Sequence, residues 1–344
     1  MTVSEPAGPS VRSFRYGVLP TGEAVTGFVL DSGSGVSVVA IEYGAAITSI
    51  VTPDRLGRSG SVVLGYDSLD EYVRSRHYMG AVVGRVAGRI REGRFTVDGQ
   101  LFGLATNAGR HHLHGGARGF DRHHWTGQGS VSAGAAEVAF QVRSPDGDQG
   151  YPGTLDVETS YRLSAAGELA IDFRAATTRP TPVSLVQHGY FNLSAGTADV
   201  LGHQLQVMAD RYLPVDHDLL PIGQPVDVGG TPFDFRQPAV IGARINGDHE
   251  QLRLAGGLDH AWVIRDGGTS SLVPAARLVD PVSGRTLEVL TTEPALQLYS
   301  GNYLDGSHRP RAGLAIEAQQ AEYPSTVLRP GEGYRATTVF RFGT

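Results

Sequence analysis

The sequence predicts an all-β protein, two large packed sheets or one strongly twisted β-sandwich, and three observations lead there. Short runs rich in Val, Ile, Tyr, Thr and Phe recur at residues 36–41, 62–64, 137–142, 155–163, 169–175, 203–208, 261–264, 286–291 and 334–342. Turn signals separate them at hairpin-like intervals, among them Val97-Asp98-Gly99-Gln100, Pro145-Asp146-Gly147 and Ala166-Gly167. Helical periodicity is weak throughout, and only residues 68–74 invite a short helical turn.

The clearest strand is 155–163, where Leu155, Val157, Thr159, Tyr161 and Leu163 alternate onto one face. That is the period-two signature of a half-buried strand. The 46 glycines and 19 prolines are spread along the chain and do not gather in a linker. With no repeat and no composition break, residues 1–344 read as one domain, and residues 1–10 as a flexible N-terminal tail.

Composition narrows the function classes. Apolar residues make up 40 % of the 344-residue chain, charged residues 19 %, and the net charge is −6. This suits a globular enzyme and argues against nucleic acid as a partner. The absence of cysteine excludes disulfides, thiolate metal sites and a cysteine nucleophile. The polar N-terminus lacks the apolar run of a signal peptide, and no stretch reaches membrane-spanning length, so a cytoplasmic protein without membrane contact is expected.

Five clusters place polar groups inside strand-like or Gly-rich sequence. In GRVAGRI, residues 84–90, Arg85 and Arg89 are either solvated strand edges or rigid planar donors to a ligand's hydroxyl groups. In NAGRHHLHGG, residues 107–116, His112 and His114 share a face if extended while His111 points away. Such a pair raises the question of a metal, but no third ligand follows at a recognisable spacing and no HExxH helix exists. The glycines after His114 suggest a backbone pressed against a neighbour. His188, in QHGYFNL at 187–193, is a core histidine unless a carboxylate of complementary role lies elsewhere. Asp259 is a turn cap or, with Trp262 three residues on, part of a site joining a carboxylate to an aromatic face. Glu317 ends an apolar run, where it is either exposed or held in a cleft that tunes its pKa.

In this order the clusters resemble the galactose mutarotase (aldose 1-epimerase) family. The matching text is GRVAGRI at 84–90, HLHGG at 112–116 with GF at 119–120, SPDGDQGYPG at 144–153, HGYFNL at 188–193 and YLPVD at 212–216. It continues with LDH at 258–260, LYSGNYLDG at 298–306, Glu317 with Gln319, and LRPGE at 328–332. The resemblance spans about residues 17–342. It implies a galactose mutarotase-like supersandwich, a twisted β-sandwich of two sheets whose concave face holds an open sugar cleft. It also implies Glu317 as catalytic base and His188 as catalytic acid. Arg89, His114 and Asp259 match the family's substrate contacts, and Gln319 and Trp262 join them as candidate sugar-binding residues. No cofactor and no metal are implied; the expected partner is a free monosaccharide, glucose or galactose in kind, handled by a monomer or homodimer.

Four positions depart from the family pattern: Gly88 for Asn in the arginine motif, Gln187 for Asn, Gly189 for Ser or Thr, and His111 where Asn is frequent. They leave the catalytic pair intact and bear on which sugar fits. Ring opening of a hemiacetal needs one proton to leave the anomeric hydroxyl and one to reach the ring oxygen, which suits a carboxylate and an imidazolium. This requires His188 to stay partly protonated near neutrality, with Asp259 as a candidate carboxylate neighbour. The alternatives are a mutarotase of arabinose, xylose, fucose or a sugar phosphate, the last needing Arg74/Arg76 or Arg309/Arg311, or a non-catalytic or repurposed carbohydrate-binding protein on the same fold. A glycoside hydrolase would normally need two catalytic carboxylates.

Overall fold

Alternation becomes pairing in the nine-stranded antiparallel sheet of the computed structural model, which describes residues 8–132, 134–265, 267–320 and 327–344. Third in its order, Leu155–Ser164 pairs with Ala135–Ser144 on one side and Glu168–Thr177 on the other. Tyr334–Gly343 then joins Glu168–Thr177 to Thr286–Thr291. Leu155, Val157, Thr159, Tyr161 and Leu163 are all buried, as their spacing requires. The turn at Asp98-Gly99 joins Arg94–Val97 to Gln100–Gly103, with both turn residues at positive φ, +51° and +77°. That is the conformation favoured for two-residue hairpin loops.

The opposing layer consists of a five-stranded and a six-stranded sheet. Residues 62–64 form no strand of their own. They join these two sheets, through Leu64 N–H to Tyr190 O (2.9 Å) and Asn192 N–H to Val62 O (2.8 Å). One core fills the space between the layers. Phe28 meets Phe140 at 5.6 Å between ring centres, and Phe191 meets Phe340 at 5.0 Å. Each such buried ring contributes about 2–3 kcal/mol through the hydrophobic effect. The expected sandwich is therefore present, with its second layer divided in two.

The expected helical turn is Leu69–Arg74, its first turn capped by the Ser68 hydroxyl accepting from Glu71 N–H. Two further short helices, Ile241–Ile245 and Glu250–Ala255, lacked a sequence signal long enough to read. No described helix is long and apolar enough to cross a membrane. Residues 1–7 of the expected tail lie outside the described residues, while Ser10 already begins the strand Ser10–Val18.

Arg85 shows how the loops above the sheets are fixed. It is neither a solvated strand edge nor a ligand contact: 2 % exposed, it donates to Ser144 O, Ser144 Oγ, Pro145 O and Pro152 O at 2.8–3.0 Å. Burial lowers its pKa to about 10, so it stays charged at neutral pH. Gly115 sits beside the same segment at φ +85°, where a Cβ would lie 1.7 Å from Gly84 O, so only glycine fits. This confirms the close backbone approach expected after His114. Replacing Arg85 by Ala orphans several buried acceptors and is expected to lower the unfolding free energy by about 3 kcal/mol. Urea denaturation measures this, and an unchanged midpoint would contradict the structural role.

Candidate active site

The floor of the cleft is set by strand register. Asp259–Ile264, Ala295–Tyr299 and Leu314–Gln319 are neighbours in the six-stranded sheet. Ala261 lies opposite Gln297, Gln297 opposite Glu317, and Asp259 opposite Tyr299. Side chains alternate along a strand, so Asp259, Gln297, Tyr299, Glu317 and Gln319 emerge on one face. They line a cavity of about 460 Å³.

The same alternation removes Trp262 from the site. Three residues from Asp259, it points to the opposite face, is 0 % exposed, and donates its indole N–H to Phe233 O at 3.1 Å. It packs with Tyr212, Phe233 and Phe235 as core. The reading of Trp262 as a sugar-stacking residue is therefore corrected.

The walls bring in the remaining candidates. Arg89 opens the two-residue strand Arg89–Ile90, paired with His112–Leu113, and its guanidinium lies 3.7 Å from Asp259. His112 and His114 do not share a face, because the chain leaves extended geometry at His114 (φ +51°). His112 is buried between Ala105 O and the Tyr151 hydroxyl, while His114 reaches the cleft. His188 is held by main-chain bonds: its N–H donates to Ala81 O and its carbonyl accepts from Gly80 N–H, both at 2.9 Å. Its Nε2 lies 3.5 Å from Glu317 Oε1, with 3 % and 2 % of the two residues exposed.

Burial governs the electrostatics. Glu317 has its pKa raised from 4.5 to about 8, first by desolvation and then by the charge of Asp259, with Arg89 opposing. Desolvation lowers His188 from 6.5 to about 4. Asp259 is also raised by burial, against the pull of Arg89 and a hydrogen bond from Gln297 Nε2 at 2.7 Å. Two sequence expectations are thereby corrected. His188 is not partly protonated by itself near neutrality, because its site is desolvated. Its carboxylate neighbour is Glu317, while Asp259 serves Arg89 and Gln297. His188 Nδ1, Glu317 Oε2 and Gln319 Oε1 are buried without a hydrogen-bond partner within the described protein, acceptors and donors that a polyhydroxylated ligand can satisfy.

Of the four departures, only Gly88 lines the cleft. Gln187 donates to Gly80 O at 2.8 Å behind His188. A Cβ at residue 189 would lie 2.8 Å from Gln187 Oε1, so the longer amide and the glycine fit together. His111 is buried and bonded to Asp218 at 3.0 Å, outside the cleft. Sequence reasoning missed Tyr78, Tyr190, Gln297 and Tyr299, all of which line the cavity. Tyr190 stands two residues after His188 and Gln297 alternates with buried leucines, so both carried a period-two signal. Tyr78, at φ +53°, carried none.

A sequence profile of the aldose 1-epimerase family matches residues 27–341. Galactose mutarotase of Rattus norvegicus is 41 % identical over 97 % of this chain and 98 % of its own. Aldose 1-epimerase of Escherichia coli (strain K12) is 36 % identical over 94 % of this chain and 96 % of its own. Among solved structures, a galactose 1-epimerase from Lactobacillus acidophilus NCFM superposes with a TM-score of 0.88 at 30 % identity, covering 97 % of this chain and 98 % of that one. With the sequence match and the fold in agreement over nearly its whole length, the chain belongs to the aldose 1-epimerase family.

Proposed function

We propose that the cleft opens the ring of a free aldose, galactose or glucose, with Glu317 as base and His188 as acid. The chain is an isomerase that interconverts α and β anomers of an aldose, as its relatives over nearly full length support. The observation that carries the catalytic assignment is the buried Glu317–His188 pair, 3.5 Å apart where the cavity floor meets its wall.

The chemistry needs one proton to leave the anomeric hydroxyl as another reaches the ring oxygen and C1–O5 breaks. The open aldehyde turns about C1–C2 and closes on its other face, with the two roles reversed. In the free protein the pair holds one proton between about pH 4 and about pH 8, on Glu317. Moving it to His188 Nε2 makes carboxylate and imidazolium together with no net proton uptake. Arg89 favours the carboxylate, and a donating anomeric hydroxyl adds to that. Arg89, Asp259, His114 and Gln319 hold the remaining sugar hydroxyls. The pKa order also favours a second reading, with Glu317 giving the first proton and His188 receiving it.

A sugar phosphate is the weaker substrate reading. Of Arg74, Arg76, Arg309 and Arg311, only Arg76 lines the cleft, and Arg311 is engaged by Ser300, Asn302 and Gly256 O. The other cleft guanidinium groups, Arg89 and Arg91, are paired with Asp259 and Asp216, which leaves phosphate little purchase beside the buried polar floor.

Polarimetry on freshly dissolved α-D-galactose and α-D-glucose tests the activity and its residues. Glu317→Gln and His188→Asn are each expected to lose roughly 10²–10⁴-fold in turnover while folded; retained activity in either contradicts the assignment. The rate should be level between about pH 4 and about pH 8 and fall on both sides, because only the one-proton pair is competent. A single limb near pH 6.5 would contradict the shared proton. Stability gives an independent check. The folded pKa of Glu317 lies above its ordinary value, so its favourable contribution is complete below pH 4.5 and is lost as pH rises through about 8. Glu317→Gln should therefore raise Tm by about 2 °C or more at pH 8 and leave it unchanged at pH 4. Equal Tm values at both pH values would contradict the burial argument.

A further inference from the structure

His114 and residue 88 grip each other at two points. The main-chain N–H of His114 donates to Gly88 O at 3.0 Å, and the N–H of Gly88 donates to His114 Nδ1 at 3.1 Å. Gly88 adopts φ +79°, and no atom lies within 4 Å of the Cβ it lacks. Its departure from Asn thus keeps a residue type that tolerates left-handed backbone, while opening space at the cleft wall.

A backbone amide only donates, so the Nδ1 facing it must present a lone pair. In a neutral imidazole the proton then sits on Nε2. Burial, together with His188 and Arg89, keeps His114 neutral at neutral pH. We propose that the Gly88 amide locks His114 in the Nε2–H tautomer, making it a fixed hydrogen-bond donor to an oxygen of the bound aldose, with Gly88 as its positioning residue. The donor half of this inference rests on the sugar-binding reading above. It gives the cleft a neutral donor for sugar oxygens that only accept, the ring oxygen and the open-chain aldehyde, where Asp259 and an ionised Glu317 offer acceptors alone.

The lock also bears on the one cluster in the described residues with metal-ligating composition. Ligand atoms of His114, His188 and Glu317 lie within 4.8 Å of one another. A cation at His114 Nε2 would displace the proton to Nδ1, where it would meet the Gly88 N–H head-on. Metal-bound histidines ordinarily give that second N–H to an acceptor. The tautomer that serves a sugar therefore disfavours zinc.

Long-range ¹H–¹⁵N correlation spectra of the ¹⁵N-histidine-labelled full chain, without sugar at neutral pH, test the lock, with His114 assigned by its loss in His114→Gln. Expected are an unprotonated Nδ1 and a protonated Nε2; a protonated Nδ1 overturns the proposal. His114→Gln keeps an amide donor near the Nε2 position, whereas His114→Asn does not reach it. Asn is expected to be about tenfold or more below Gln in kcat/KM, chiefly through KM; equal losses in the two variants overturn the donor role. Equimolar zinc chloride should leave the wild-type rate unchanged, and saturable inhibition that His114→Gln abolishes would contradict the lock. If Glu317→Gln stays active, the acid–base assignment fails while the sugar-free spectrum still decides the tautomer.

Discussion

A carboxyl on the sheet floor and an imidazole from the cleft wall, buried 3.5 Å apart, are the constraint on which the site depends. Exposed, the carboxyl would be ionised and the imidazole partly protonated near neutrality. Desolvation drives both toward their neutral forms, Glu317 upward and His188 downward. In our account the pair is therefore a neutral couple holding one mobile proton, and the bound sugar decides where that proton sits. Hydrogen bonds and the Arg89 guanidinium are worth more in this setting than in water, because the local dielectric is low.

The fold supplies that setting through register and loop clamps. Antiparallel pairing of three strands puts Glu317, Gln297 and Asp259 on one face at fixed spacing, and the bond from Gln297 to Asp259 ties the row together. The walls are irregular segments, so they need other fasteners. Arg85 spends its guanidinium on carbonyls of the 144–152 loop, and Gly115 lets the His114 loop lie against Gly84. Placing the floor on strands and the adaptable contacts on clamped loops is how a precise site stays compatible with an open cleft.

Much of this was legible in the sequence, and the failures have identifiable causes. Period-two alternation marked the strand at 155–163 with its buried face, and the Asp98-Gly99 turn marked the separate hairpin of Arg94–Val97 and Gln100–Gly103. Motif order brought Arg89, His114, His188, Asp259, Glu317 and Gln319 to one cavity. Trp262 fails because proximity in sequence does not respect strand parity: an offset of three residues crosses the sheet. The His112/His114 pair failed for the opposite reason, since parity assumed an extended chain where His114 is left-handed. The charge state of His188 was beyond reach, because desolvation depends on which residues cover a group, and that is a tertiary property.

Infrared difference spectroscopy of the carboxyl groups tests the central claim most directly. The band of Glu317, assigned by its loss in Glu317→Gln, should report a protonated carboxyl in the free protein at pH 6.5 and a carboxylate once galactose is bound. A carboxylate already present without sugar would contradict the neutral couple. A carboxyl that stays protonated in the sugar complex would reverse the roles of Glu317 and His188.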